Sequence, residues 1–247
     1  MVHVMYSERH AARTVERGQV YGHSSRVGVR RLGGGIALAL ALFVVGYAAK
    51  SGPGTDADLA VSHLIAHIRN PVFTGLAELL TLLFTPEAWA ALGVVGAIVL
   101  ALVRRRGQAL RVFCVMIGST AVVYVAKAIV SEPRPPKSLW LEAPDSNASF
   151  PSGHTMAAAA VAACALILVP AAARSAVRVA GIMVVVAVAG SRMYLGVHYL
   201  LDVTGSVLAV GCATVFLSGL ALLPPGRRWL LALDGAGVSP SPNSARR

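Results

Sequence analysis

Long apolar runs separated by short polar segments dominate the pattern of this chain. Each approaches the roughly 20 apolar residues that a helix needs to cross the hydrocarbon core of a bilayer. They cover about 33–49, 87–103, 109–130, 153–173, 176–193 and 202–223. The pattern predicts an all-α polytopic membrane bundle with six transmembrane helices.

The flanking segments differ from this bundle in composition. Residues 1–32 are polar and basic and are expected to form a disordered cytoplasmic tail, and residues 224–247 form a polar C-terminal tail. The six-span domain of the chain is therefore expected to cover residues 33–223. The first apolar run has small residues near its end, as a signal peptide does. The long basic lead and the many later runs favour an uncleaved first helix instead.

Two weaker segments lie between the first and second runs. The breaker Gly52-Pro53-Gly54 is followed by an amphipathic pattern from Asp56 to Arg69, which predicts a helix. Residues 71–84 are apolar but short for a span. We interpret this region as an extracytoplasmic helical segment that is interfacial or re-entrant.

Composition agrees with a membrane protein. Hydrophobic residues make up 56% of the chain, charged residues 13%, and the mean hydropathy is +0.68, whereas soluble domains carry about 25% charged residues. The net charge of +11 raises the alternative of nucleic-acid binding. The arginines, however, cluster between apolar runs and at the chain ends, which favours membrane orientation and no nucleic-acid partner.

The positive-inside rule then sets an orientation. With both termini cytoplasmic, the inner segments are all basic. Their arginines are Arg9, Arg13, Arg17, Arg26, Arg30, Arg31, Arg104, Arg105, Arg106, Arg111, Arg174, Arg178, Arg227, Arg228, Arg246 and Arg247. The outer segments are 50–86, 131–151 and about 191–202. This arrangement predicts a multi-pass protein of the plasma (inner) membrane.

Four cations, Lys127, Arg134, Lys137 and Arg192, do not follow this rule, because they lie on the outer side, and Lys127, Arg134 and Arg192 are near an apolar boundary. Ionisable residues at a membrane boundary are costly and usually functional. Without carboxylate partners, three converging cations indicate an anion, and the arginine fork matches phosphate oxygens. Ser152 and Gly153 precede a helix, where a hydroxyl and backbone N–H groups can point at the same anion. Singly, such a cation can simply snorkel and Ser152 can be a helix cap, but one outer phosphate site explains them together.

Two histidines complete this outer site. His198 and Asp202 are four residues apart, so they share a face if a helix has begun, although Asp202 could instead be a cap. A carboxylate there can hold one ring nitrogen and leave the other free to attack. His154 would then act as the general acid and later as the base.

The three motifs, in this order, resemble the type 2 phosphatidic acid phosphatase family, also called lipid phosphate phosphatases. They read Lys127-x6-Arg134-Pro135, Pro151-Ser152-Gly153-His154 and Ser191-Arg192-x5-His198-x3-Asp202. That family is related in its active site to vanadium haloperoxidases and bacterial acid phosphatases. Two local features are less usual: Leu200-Leu201 stand where many relatives have a proline, and Glu132 precedes Pro133-Arg134.

The resemblance implies an active site at the extracytoplasmic face. It implies a phosphohistidine on His198 supported by Asp202, with His154 as the acid. It implies no metal or other cofactor. The implied phosphate ligands are Lys127, Arg134, Ser152, Gly153 and Arg192. His63 and His67 have a spacing that can bind a metal, but they lack an evident third ligand and fit an interfacial helix face.

The implied function is a metal-independent lipid phosphate or diphosphate phosphatase. Its substrates would be a polyprenyl diphosphate such as undecaprenyl diphosphate, phosphatidic acid or phosphatidylglycerol phosphate. Alternatives are a phosphotransferase with the same site, a non-catalytic lipid-phosphate binder or transporter, and, as a weaker option, a haloperoxidase. The partners are then the lipid substrate and the bilayer. The pattern leaves open the lipid, the oligomeric state and the roles of Glu132 and Lys137.

Overall fold

The computed structural model describes residues 2–144 and 146–233, with side chains from Ser24 onward. These residues form helices α1 to α9, joined by short loops and two 3-10 turns. The helices are α1 Val2–Lys50, α2 Gly52–His67, α3 Pro71–Leu83, α4 Pro86–Leu102, α5 Arg106–Val130, α6 Gly153–Leu168, α7 Arg174–Tyr194, α8 Leu200–Leu222 and α9 Pro224–Leu233. β-Pairing in the described residues is limited to one isolated bridge between Pro133 and Ala148. The predicted all-α membrane fold is confirmed.

The predicted number of six spans is not reproduced. Four helical segments are long and apolar enough to cross a bilayer, or five if α3 and α4 together form one. The four are Ser24–Lys50, Arg106–Val130, Ala171–Tyr194 and Leu200–Leu222. The protein is therefore a multi-pass membrane protein with a less regular bundle than the hydropathy pattern predicts.

The clearest difference in length concerns α6. The apolar run predicts a helix over 153–173, but α6 ends after 16 residues at Leu168. Pro170 explains the early end, because a proline disfavours helical backbone at the residue before it. Val169 accordingly adopts an extended conformation, with φ −82° and ψ 150°. A short 3-10 turn at Ala171–Ala173 then leads into α7.

The segment predicted to be interfacial or re-entrant is α3. It meets α4 at an angle of 40° across a two-residue break. Pro86 is the first residue of α4, a position that a proline fits well. A proline also disfavours helical backbone at the residue before it, so α3 cannot continue through Thr85. The break therefore has a local cause in the sequence.

Within the described residues, the N-terminal segment differs from the sequence expectation, and the polar C-terminal tail begins with a helix. α1 begins at Val2, where the composition predicts a disordered tail over 1–32. Once a helix is nucleated, each further residue adds a hydrogen bond, and the Ala, Arg and Glu residues of this segment are good helix formers. Likewise, α9 forms at the start of the polar tail. Residues 234–247 of that tail lie outside the described residues.

The bundle is built around α8, which packs along α1 and contacts α5 and α6. The α1–α8 crossing is close because glycines face each other there. A Cβ on Gly219 would lie 2.9 Å from both the Gly28 carbonyl oxygen and the Leu32 nitrogen. Small residues that allow such backbone approach drive helix association in lipid. α8 is the most buried of the four spans and α7 the least.

Large apolar side chains cover much of the outer surface of this bundle. They include Leu76, Ile98, Phe113, Ile129, Met183 and Val186, each more than 40% exposed. Exposed patches of this size are unusual for a soluble monomer. They are the surface expected to face lipid tails.

Loops at one end of the bundle are tied together by hydrogen bonds between distant segments. Arg69 donates to the Tyr194 carbonyl at 3.0 Å and to the Leu139 carbonyl at 2.8 Å. Leu141 N donates to the Leu195 carbonyl at 2.9 Å. These bonds fix the loop after α5 against the loop between α7 and α8, which carries His198.

The ring of Phe150 is a wedge between α1, α5 and α8. It is fully buried and lies directly before the Pro151-Ser152-Gly153-His154 motif. On one side it contacts the backbone of α1 at Gly46 and on the other that of α8 at Gly205. The motif therefore depends on glycine at these positions for its placement.

We predict that Gly205→Ala destabilises the protein. The added methyl group would overlap the Phe150 ring, and overpacking a core typically costs about 1–3 kcal/mol. In detergent, Tm should fall by at least about 2 °C. Gly190→Ala is the control, because a Cβ there meets nothing within 4 Å. Equal Tm values for the two variants would contradict the role of Phe150 as a wedge.

Candidate active site

Five parts of the chain meet at this end of the bundle. They are the C-terminal ends of α5 and α7, the loop from 131 to 152, the start of α6, and the loop into α8 with the first turn of that helix. The eight residues that the sequence proposes for the site lie on these parts. Most of them are buried, while Lys127 and Arg134 are half-buried and line the more open side.

His198 lies in the loop between α7 and α8 and is 2% exposed. Its Nδ1 is 3.1 Å from Asp202 Oδ2, and its Nε2 is 2.9 Å from Arg134 Nη1. A carboxylate accepts and a guanidinium donates. These partners assign the tautomer in which Nδ1 carries the proton and the Nε2 lone pair faces Arg134.

His198 is held as a neutral imidazole. Burial lowers the pKa of His198 to about 3, and the positive charges of Arg134 and Arg192 act in the same direction, while Asp202 opposes them. A group with a pKa this low keeps its Nε2 lone pair at all physiological pH values. The Nε2 lone pair of His198 is therefore available without deprotonation.

Asp202 is the third residue of α8 and is fully buried. One of its oxygens, Oδ2, accepts from His198 Nδ1, from Tyr199 N at 2.8 Å and from the Ser149 hydroxyl. The position near the N-terminus of α8 also favours a negative charge. The sequence leaves open whether Asp202 caps α8 or bonds His198. In the structure, the Asp202 carboxylate does both.

Ser152, Gly153 and His154 begin α6. The Ser152 hydroxyl caps this helix, accepting from Thr155 N at 3.4 Å and from Thr155 Oγ1 at 3.2 Å. Its backbone N–H donates to the Asp202 carbonyl at 3.3 Å, so that group does not point at an anion as the sequence predicts. Ser206 Oγ holds the Ser152 carbonyl at 2.7 Å. These bonds place the N-terminus of α6 beside that of α8, with His154 in the first turn.

Lys127 and Arg134 also support the loop that follows α5. Lys127 Nζ donates to the Ala148 carbonyl at 2.8 Å and to the Ser149 carbonyl at 3.3 Å. Arg134 donates through Nε to the Ser146 carbonyl at 3.0 Å and through Nη1 to the Val197 carbonyl at 2.7 Å. Lys127 therefore ties the loop at 146–149 to α5, and Arg134 ties it to the His198 loop.

Arg192, near the end of α7, is fully buried. Its Nη1 donates to Thr81 Oγ1 at 2.8 Å and forms an ion pair with Glu142 Oε2 at 3.2 Å. The sequence argument assumes that the three outer cations have no carboxylate partners, and for Arg192 that assumption is wrong. Glu142 lies in the loop between α5 and α6. That loop reaches α7 only in the folded protein, so the sequence spacing of Glu142 and Arg192 does not indicate their ion pair.

Ser149 is a further site residue that the sequence reasoning does not identify. It donates to Asp202 Oδ2, and its hydroxyl oxygen is 3.4 Å from His198 Nδ1. It lies just before the Pro151 motif, but a serine in a polar loop carries no distinguishing signal. Sequence reasoning also does not identify Thr81, which contacts Arg192, because a single threonine in an apolar helix carries no distinguishing signal either.

Comparison with known proteins agrees with this geometry. The sequence model of the PAP2 superfamily matches residues 108–222, a segment that contains all eight proposed site residues. Over this segment the chain is similar to the PAP2 superfamily. No protein of established function matched the chain in a search of curated sequences.

A solved structure with the PAP2 fold is similar over most of its length. It is the crystal structure of the first transmembrane PAP2 type phosphatidylglycerolphosphate phosphatase from Bacillus subtilis. The identity is 26%, the TM-score is 0.65, and the match covers 74% of this chain and 93% of that chain. The present chain therefore has the fold of a membrane PAP2 phosphatase.

We predict that Arg192→Gln weakens the binding of a tetrahedral anion to this PAP2 site. Charge-assisted hydrogen bonds are worth about 1.5–3 kcal/mol, so the Kd of orthovanadate should rise at least about tenfold. Titration calorimetry in detergent measures this. Arg178→Gln is the matched control, because Arg178 is exposed on the same helix at its other end. An unchanged Kd for Arg192→Gln would limit Arg192 to its contacts with Thr81 and Glu142.

Proposed function

We propose that this protein is a lipid phosphate phosphatase in which His198 takes up the phosphoryl group. The observation that carries the proposal is the state of His198. Its Nδ1 is held by a buried carboxylate, its Nε2 lone pair faces an arginine, and its pKa is lowered to about 3. A neutral, oriented imidazole beside a cation is suited to attack a phosphorus atom.

In the first step, the lone pair of His198 Nε2 attacks the phosphorus and forms an N–P bond. The bond from phosphorus to the lipid oxygen breaks, and the leaving oxygen takes a proton from His154. The imidazole becomes positively charged, and the Asp202 carboxylate at its Nδ1–H stabilises that charge. This is the role that a buried carboxylate has beside a catalytic histidine in general.

In the second step, water attacks the phosphohistidine. His154, now without its proton, accepts one from the water, the N–P bond breaks, and inorganic phosphate leaves with His198 neutral again. A positioned acid–base group of this kind typically contributes about 10²–10⁴ in rate.

The cations of the site stabilise the charge on the equatorial oxygens in both steps. Arg134 is already at His198 Nε2, 2.9 Å away, so a phosphorus that approaches this nitrogen meets its guanidinium. Arg192 is paired with Glu142, which is 30% exposed. We expect the phosphate to take the place of this carboxylate on Arg192.

Two features support a lipid substrate and an extracytoplasmic site. The apolar outer surface of the bundle lets lipid tails lie beside the helices while the phosphate reaches the loops. Basic residues start α5 and α7 and follow α8, whereas the proposed site residues lie at the opposite ends of these helices. The positive-inside rule then favours a cytoplasmic basic end and an outer site.

The substrate to test first is phosphatidylglycerol phosphate, because the structurally similar enzyme is a phosphatidylglycerolphosphate phosphatase. Phosphatidic acid and undecaprenyl diphosphate complete the panel. We expect the protein in detergent micelles to release inorganic phosphate from at least one of them. His198→Ala should lower kcat by at least about 10³-fold, since it removes the nucleophile. His63→Ala, an exposed histidine on α2, should behave like the wild type.

The same assay separates the alternatives. Phosphorylated acceptor lipid in place of free phosphate would indicate a phosphotransferase. Binding of the lipids with equal affinity in wild type and His198→Ala, and turnover of none of them, would indicate a lipid-phosphate binder and would contradict the proposal.

A further inference from the structure

Glu132 is a buried carboxyl group that the mechanism above does not use. It lies two residues after α5 and is 2% exposed. The backbone carbonyl of Glu132 accepts from Ser149 N at 2.8 Å. Glu132 is therefore next to Ser149, whose hydroxyl donates to Asp202. Within the described part of the chain, no N–H or O–H group donates to either of its carboxyl oxygens.

The Glu132 carboxyl group lies within hydrogen-bonding reach of the Asp202 carboxyl group. The two carboxylate oxygens of Asp202 differ in their hydrogen bonds. Oδ2 accepts three, while Oδ1 accepts none from the described residues. Two ionised carboxylates can only accept, so they cannot bond each other. One proton shared between them satisfies Asp202 Oδ1 and one oxygen of Glu132 in a single bond.

The surroundings decide which of the two groups holds that proton. Asp202 has three donors and a helix N-terminus, all of which favour its charged form. Glu132 has neither. Burial raises the pKa of Glu132 to about 9, and the negative charges of Asp202 and Asp58 act in the same direction.

The other charged groups near Glu132 do not reverse this. Lys50 on α1 favours the ionised form of Glu132, but its effect on the pKa of Glu132 is smaller than those of burial, Asp202 and Asp58. The Lys50 Nζ donates to the Val130 carbonyl at 3.1 Å. Asp58 on α2 has its own pKa raised by burial to about 6, so it is ionised above that pH and repels a charge on Glu132. Tyr199 at the start of α8 remains neutral, because burial raises its pKa to about 12.

We propose that Glu132 is a neutral carboxylic acid that donates its proton to Asp202 Oδ1 and thereby positions the carboxylate that orients His198. With Oδ1 held by Glu132 and Oδ2 by Tyr199, Ser149 and His198, the Asp202 carboxylate is fixed at both oxygens. Glu132 is a positioning residue, and its catalytic effect rests on the role of His198 proposed above.

This arrangement has an alkaline limit. When Glu132 loses its proton, the bond to Asp202 is lost and two negative charges face each other. The Asp202 carboxylate then moves away from its position, and kcat falls with an apparent pKa near that of Glu132. An amide at position 132 would donate to Asp202 without titrating.

Infrared difference spectroscopy of the full-length protein in detergent, without substrate, tests the proton directly. Between about pH 7 and about pH 10, the wild type should lose the carbonyl band of a protonated carboxylic acid. Glu132→Gln should lack this band, and Glu78→Gln, an exposed glutamate on α3, should retain it. A wild type without the band, or a band that persists in Glu132→Gln, overturns the proposal.

Kinetics test the positioning. At about pH 7, Glu132→Gln should keep kcat within about threefold of the wild type, whereas Glu132→Ala should lose at least about tenfold, with little change in KM. The alkaline decrease in kcat should disappear in Glu132→Gln and remain in Glu78→Gln. If Glu132→Gln is as slow as Glu132→Ala and keeps the alkaline decrease, Glu132 does not act as a donor to Asp202.

The two measurements test different claims, so one claim can be contradicted while the other stands. The infrared result needs no substrate, so it decides on the Glu132 proton even if none of the tested lipids is hydrolysed. Absence of hydrolysis would count against the proposed function alone.

Discussion

The hydrogen bond between the buried Asp202 carboxylate and His198 Nδ1 is the interaction on which the site depends. The same carboxylate oxygen accepts from Tyr199 N and from the Ser149 hydroxyl. It therefore joins the first turn of α8, the loop that precedes it and the loop after α5. A buried charge is tolerated only where such donors replace water. The packing of these loops and the orientation of His198 therefore both depend on this one group.

Charge and burial act together on His198. A histidine beside a carboxylate commonly gains a proton, but here burial and two arginines outweigh the carboxylate and keep the ring neutral. The arginines thus lower the proton affinity of His198 and, in the proposed mechanism, also donate to the incoming phosphate. The ion pair of Arg192 with Glu142 shows that one of these donors has a carboxylate partner within the protein.

Much of this could be predicted from sequence, because it depends on local spacing or on composition. Hydropathy indicates a helical membrane protein, and the four-residue spacing of His198 and Asp202 is enough to pair them at a helix start. The early end of α6 was missed although Pro170 causes it, since the apolar run continues beyond the proline. Ser149, Thr81 and Glu142 could not be found in this way. Their contacts join residues 50 to 111 positions apart, and serine, threonine and glutamate are common in polar loops.

The position of the phosphoryl group on His198 tests the central claim most directly. The enzyme would be mixed briefly with a hydrolysable lipid phosphate, quenched in base, which preserves phosphohistidine, and digested for mass spectrometry and phosphorus NMR. Because Nδ1 is bonded to Asp202 and Nε2 faces Arg134, we predict phosphorylation of His198 at Nε2. Phosphorylation at Nδ1, or on a residue other than His198, would contradict the account.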